Sequence, residues 1–261
     1  MSLDLVMGDS VFASGIGIDV PVSENLLSFG LGGDLFGVNL VEDGVQPTIV
    51  GAPARLDAYS TLLGPGGYLD LNIKESENFT YFSVFKLWNS GGGGNTQLIG
   101  TFQSYAADGT TAVVGSGIVL EAQGYRDVIC STYDGGTGSS SANNVIITDV
   151  SDLPTTEAAA SWRCLIGCYD GTGINGTPRL KRIMDKTAGK SGSSLTPTGV
   201  VRDMRGTSTI RVGNTGPRVT QTKSLAFMGY ACYDRQLTNT EMDLMYNRFK
   251  DIGEVQGGFV E

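Results

Sequence analysis

Apolar residues recur at every second position through most of this chain, in segments too short for helices. Phe79 to Trp88 is the clearest early case: Phe79, Tyr81, Phe85 and Leu87 fall on one face, and Phe82, Val84 and Trp88 on the other. Apolar residues on both faces predict a strand in the middle of a sandwich. Leu225 to Tyr233 has the same character. In between, Trp162, Cys164, Ile166 and Cys168 alternate with Arg163, Leu165 and Tyr169; Asp170-Gly171 begins a turn, and Arg179 to Met184 returns as the hairpin partner. Shorter strands are predicted at Tyr68 to Leu71 after the turn Gly64 to Gly67, and at Gln97 to Tyr105, Ser116 to Ala122, Tyr125 to Tyr133, Val145 to Ile147 and Thr209 to Val212. Leu26 to Val50, where short apolar runs alternate with glycines, reads as edge and corner strands. Gly91 to Gly94, Gly135 to Asn144, Ser151 to Ala160 and Thr187 to Pro197 read as exposed loops.

The period changes once, near the end. Met242, Met245, Tyr246, Phe249 and Ile252 follow helical spacing and make one apolar face. Thr238 and Glu241 have the spacing of a capping box, in which each side chain accepts from the other's backbone N–H. Leu237 and Met242 stand where a hydrophobic staple would, and Gly253 is placed to end the helix.

An all-β chain of 261 residues is ordinary as a single domain. A chain this long buries about three quarters of its unfolded surface, so it needs neither disulfide nor metal to hold it. The net charge of −9 argues against a nucleic-acid backbone and against charge-driven membrane docking. No apolar run is long enough for a transmembrane helix, and the start lacks the basic and apolar regions of a signal peptide. Cys164 and Cys168 share a strand face about 13 Å apart at ~3.3 Å per residue, beyond the roughly 7 Å a disulfide spans. Cys130, Cys164, Cys168 and Cys232 are therefore expected as buried free thiols, which suits cytosolic synthesis.

Several segments resemble the concanavalin A-like, laminin-G-like jelly roll. They are GGYLDLNIKESENFTYFSVFKLW (Gly66 to Trp88), SWRCLIGCYDG (Ser161 to Gly171), STIRVGN (Ser208 to Asn214) and the closing MGYACYDRQLTNTEMDLMYNRFKD (Met228 to Asp251). The chain departs from the family at Met184-Asp185-Lys186-Thr187, where a "vDG" hairpin tip is common, and no acidic residues match the family's calcium ligands. The resemblance implies a two-sheet antiparallel sandwich with one C-terminal helix over 25–253. An N-terminal arm or edge strand (1–24) precedes it and a tail (254–261) follows. Its members include lectins, adhesion modules, virion proteins and glycosidases, and fold alone does not choose among them.

Chemical motifs are few. Gly8-Asp9-Ser10 looks like an esterase nucleophile block, but the chain has no histidine to take the serine proton. Gly171 to Gly176 matches G-x-G-x-x-G, yet a strand-like RLKRIM follows where a phosphate-binding helix is required. Gly189-Lys190-Ser191 lacks the earlier glycine of a P-loop. Glycosidase chemistry needs two carboxylates about 5–9 Å apart; Glu75 and Glu77 have strand spacing but lie in a polar segment expected to be exposed. Asn78-Phe79-Thr80 and Asn175-Gly176-Thr177 read as chance sequons.

A glycan site needs aromatic platforms beside polar loop groups. Trp88, Tyr105, Tyr125, Tyr133 and Asp134 are the candidates, each also readable as core or rim. The leading expectation is a non-enzymatic structural or attachment module, a bacteriophage head decoration or tail protein. It would be made in the host cytoplasm, displayed on the virion surface, and oligomeric with itself or other virion proteins. A cell-surface glycan is its expected ligand, with no cofactor other than a calcium ion that the family allows and no motif here supports, no nucleic acid and no membrane insertion. An extracellular lectin domain and a glycoside hydrolase or depolymerase remain alternatives.

Overall fold

The computed structural model describes residues 18–86, 88, 95–120, 126–133, 140–147, 154–171, 179–219, 221 and 223–255. The first half forms β1 (Leu26–Leu31), β2 (Thr48–Gly51), β3 (Ala54–Arg55), β4 (Thr61–Leu63), β5 (Gly67–Lys74), β6 (Phe79–Lys86), β7 (Thr96–Gly100), β8 (Ser104–Tyr105) and β9 (Ala112–Val113). The second half adds β10 (Gly117–Leu120), β11 (Arg126–Tyr133), β12 (Ser141–Ile147), β13 (Trp162–Asp170), β14 (Leu180–Asp185) and β15 (Lys190–Leu195). Last come β16 (Val201–Arg202), β17 (Thr209–Val212), β18 (Leu225–Tyr233) and the helix α1 (Asn239–Val255).

These strands make two antiparallel sheets, as the alternation predicts. The first runs β15-β14-β13-β6-β18-β4-β3 with β1 also on β18, and the second runs β12-β11-β10-β7-β17-β5-β2 with β16 on β11. β6 and β18 sit centrally in the first sheet, and β18 is buried along its whole length. The main core lies between the sheets, where Leu69, Leu71, Ile99, Ile118, Leu165 and Phe227 meet. A second core lies on the far side of the first sheet: Phe82, Cys164, Ile166, Cys168 and Met184 pack against Met242, Met245 and Phe249 of α1. The one-residue alternation of β13 thus divides its side chains between two cores. Val20 and Val22 also enter the helix-side core, and Tyr233 Oη donates to Val22 O at 2.8 Å. A small third cluster, Phe102, Val119 and Ile129 with Val114, lies on the outer face of the second sheet under the β8–β9 hairpin.

The cap of α1 forms as expected. Thr238 N donates to Glu241 Oε2 at 2.7 Å and Glu241 N donates to Thr238 Oγ1 at 3.3 Å. All four cysteines are buried and free. No helix among the described residues is long and apolar enough to cross a membrane.

Five local expectations are corrected. Gln97 to Tyr105 is not one strand. It breaks at Gly100 (φ +142°), where a Cβ would stand 2.2 Å from Ser116 O, and at Gln103 (φ +70°). The outcome is β7 in the large sheet and β8 in a separate hairpin. Residues 141–144 are not loop but the start of β12, held by pairing with residues 129–132 of β11 despite their poor strand propensity. Residues 190–195, expected as loop, form the edge strand β15, whose side chains alternate between half-buried and exposed. Gly253 does not end α1, which runs on to Val255 while Ile252 is buried against the sheet. Glu75, expected exposed, has a side chain only 5% exposed, because an arginine distant in sequence reaches it.

Candidate functional site

The described candidates from the sequence do not meet at one place. Trp88 is half-buried against the helix-side core, while Tyr105 is in the β8–β9 hairpin over the opposite, outer face of the second sheet. Tyr133 closes β11 opposite Val201, and its side chain lies outside the described residues, as do Tyr125 and Asp134. The G-x-G-x-x-G segment also lies outside them from Thr172 onward, but β13 and β14 flank it as antiparallel partners, so no helix follows it. Asn78 is engaged internally, its Oδ1 accepting from Gly171 N at 2.6 Å.

A solvent-facing cluster of aromatic and polar groups stands on the outer face of the second sheet. In β5, Leu69 and Leu71 point into the core, so Tyr68 and Asp70 point out. In β17, Ile210 and Val212 point in, leaving Thr209 and Arg211 outside. The register sets Arg211 opposite Asp70. The guanidinium of Arg211 lies 5.2 Å from the centre of the Tyr68 ring and its Nε is 3.8 Å from Asp70 Oδ2. Thr209 Oγ1 donates to Asp70 Oδ1 at 2.5 Å, and Arg211 Nη1 donates to Thr215 O at 2.8 Å.

The loop at 213–219 extends this face to Tyr105. Gly216 N donates to Phe102 O and Arg218 N to Gln103 O, which binds the loop to the hairpin. Arg218 Nη1 donates to Val113 O at 3.3 Å and its guanidinium lies 5.8 Å from the Tyr105 ring centre. Two tyrosine–arginine pairs are therefore tied together through one loop. All four side chains are half-buried, hence held in place yet open to solvent. A tyrosine ring offers an apolar platform with a polar tip, and a guanidinium offers planar paired donors suited to a carboxylate. Alternation in YLDL and TIRV already put Tyr68, Asp70 and Arg211 on outward positions. Nothing local indicated that β5 and β17, well over a hundred residues apart, are neighbours.

The carboxylates considered for hydrolysis are arranged otherwise. Glu75 Oε2 is 2.8 Å from Arg202 Nη2, and Arg202 also donates to Ser116 Oγ at 2.8 Å and to the backbone oxygens of Ser76 and Glu77. The same guanidinium lies 5.1 Å from the centre of the Phe79 ring and 5.3 Å from that of Tyr169. Glu77 is exposed and its neighbour Glu75 is neutralised, so the pair forms no acid–base couple. Among the described residues no three Cys, Asp or Glu side chains gather as a metal cage.

No protein-family model and no curated protein matches this chain. Solved structures do share its fold. The receptor-binding domain of botulinum neurotoxin mosaic serotype C/D aligns with a TM-score of 0.60 at 10% identity, over 87% of this chain and 51% of that one. The botulinum neurotoxin serotype D ligand-binding domain, solved with N-acetylneuraminic acid, gives 0.57 at 11% identity over 87% and 51%. Trypanosoma rangeli sialidase, solved with sialic acid, gives 0.54 at 14% identity over 87% and 33%. The chain thus spans about half the length of the toxin domains and a third of the sialidase. At these identities the likeness establishes a shared β-sandwich fold and nothing further.

Proposed function

We propose that this chain is a non-enzymatic carbohydrate-binding attachment module whose glycan site is the face carrying Tyr68, Arg211, Arg218 and Tyr105. The observation that carries this reading is the two tyrosine–arginine pairs, Tyr68–Arg211 where β17 leads into the 213–219 loop and Tyr105–Arg218 near the loop's far end. Two arginines against Asp70 leave the face locally positive on a chain of net charge −9, which favours glycans bearing a carboxylate. Neighbours of the same fold solved with sialic acids add support of a fold-level kind.

A glycan array followed by titration calorimetry tests the site. Acidic glycans are expected to be retained, with Tyr68→Ala and Arg211→Gln each weakening binding at least tenfold and leaving the melting temperature within a few degrees. Absence of glycan binding, or binding untouched by both substitutions, would remove the assignment.

The setting we propose is a bacteriophage virion, as a head decoration or tail component in an oligomer. Its support is the acidic, glycine-rich, histidine-free composition together with the family analogy. Light scattering on the intact chain and on a chain lacking residues 1–17, which spares Val20 and Val22 of the helix-side core, tests assembly. A monomer at high concentration in both would defeat it.

A further inference from the structure

A lysine lies inside the sandwich. Lys181 of β14 is 0% exposed. Ile183, two residues on, belongs to the inter-sheet core, so alternation sends the Lys181 side chain between the sheets as well. There its Nζ meets the side chain of Asn143 and donates to Oδ1. Asn143 comes from β12 of the other sheet, on the face that also sends Val145 and Ile147 into the core. Buried Cys130 stands directly opposite Asn143 in the β11–β12 ladder, on that same face.

Nothing charged answers this lysine. Among the described residues no ion pair includes it, and its hydrogen-bond partner is a neutral carboxamide. The neighbouring Cys130 thiol brings no counter-charge, because burial pushes it up to about 12 and keeps it protonated. An ammonium held away from water without an opposite charge is costly, and burial lowers the pKa of Lys181 from the ordinary lysine value. The form so favoured is the neutral amine, which is the nucleophilic one. A carboxamide carbon is an electrophile, and two paired strands hold it against that amine with a proximity the same groups lack in solution. Asn143 is half-buried, which leaves an exit for a small leaving group.

We propose that Lys181 and Asn143 condense into an isopeptide bond that staples the two sheets together. The Nζ–Cγ bond forms as the bond from Cγ to the amide nitrogen breaks. The proton shed by Nζ goes to that nitrogen, which leaves as ammonia, so no oxidant, reductant or cofactor is consumed. The product replaces a buried basic group with a neutral amide. It also ties residues 38 apart across the sandwich, which restricts the unfolded chain.

Mass spectrometry of the intact, fully denatured wild-type chain tests this directly. A mass below that of the sequence by one ammonia is expected. Tandem spectra of a protease digest should contain a branched peptide joining the Lys181 side chain to the Asn143 side chain. Lys181→Met and Asn143→Ala should each restore the full sequence mass and remove the branched peptide. A wild-type chain at full sequence mass after prolonged incubation overturns the inference. So does an ammonia loss that persists in Lys181→Met, since it would then arise from an asparagine cyclising on its own backbone. The branched peptide is read on the wild type, so the test holds even if a variant misfolds.

Discussion

Arg202 and Glu75 form an ion pair inside the sandwich, Nη2 to Oε2 at 2.8 Å, with side chains only 2% and 5% exposed. The pair joins β16 to the segment after β5, and the arginine's remaining contacts gather Ser116, Ser76, Glu77, Phe79 and Tyr169 around it. Removing one member leaves a buried charge without its partner, which typically costs about 3–5 kcal/mol. Arg202→Met is expected to lower stability by that amount in urea titrations. The double substitution Arg202→Met with Glu75→Gln should recover more than half of the loss. Equal destabilisation of single and double variants would show that the arginine's backbone and aromatic contacts matter more than the pair.

Gly229 makes room for the helix. A Cβ built there would stand 2.9 Å from Phe249 Cε1 and 3.1 Å from Leu31 Cδ2. Phe249 is itself wedged between Phe29 (5.4 Å) and Phe82 (6.0 Å), so its ring has little freedom to withdraw. Gly229→Ala should therefore cost about 1–3 kcal/mol through overpacking, and Phe249→Ala about 3–5 kcal/mol through the cavity it leaves. Chemical denaturation read by near-ultraviolet circular dichroism checks both. A neutral Gly229→Ala would mean that α1 shifts to accommodate the methyl group.

The helix cap carries a pH dependence. Hydrogen bonds from the Arg235 guanidinium, joined by those from Thr238, hold the Glu241 carboxyl down to about 2 from its ordinary 4.5. A carboxyl with a depressed folded value contributes stability that is full above pH 4.5 and is lost as pH falls toward 2. The group is partly solvated, so screening reduces the contribution to about 1 kcal/mol. Glu241→Gln should cost that amount at pH 7, and the difference from wild type should close between pH 4.5 and 2 in melting curves taken across that range.

The thiols should be silent while the chain is folded. Burial pushes Cys168 up to about 11 and Cys130 up to about 12, and raises Cys164 and Cys232 further. At pH 8 the thiolate population is negligible and the sulfurs are inaccessible. A colorimetric thiol reagent is expected to find no rapidly reacting cysteine in the native chain and all 4 after denaturation. Fast modification of any native cysteine would contradict the burial described for it.

Much of this architecture is written in local pattern. Two-sided apolar runs mark β6 and β18 as central, the alternation of β13 sorts Cys164 and Ile166 from Leu165 and Tyr169, and the Thr238–Glu241 spacing marks the start of α1. These features are legible because burial and capping act over a few residues, at the strand and helix periods themselves. The rest depends on partners far away in the chain. Serine- and asparagine-rich segments become β12 and β15 only because β11 and β14 offer them ladder hydrogen bonds. Glu75 is polar by sequence yet buried, because Arg202 arrives from 127 residues away to meet it. Tyr68, Asp70 and Arg211 form a face only because β5 and β17 pair. The sequence by itself determined the central strands, the start of the helix and which side of each is apolar, since those follow from periodicity and capping. Only the tertiary structure decided which strands adjoin, and with that which charges are neutralised and which stay open to a ligand, because long-range pairing leaves no local trace.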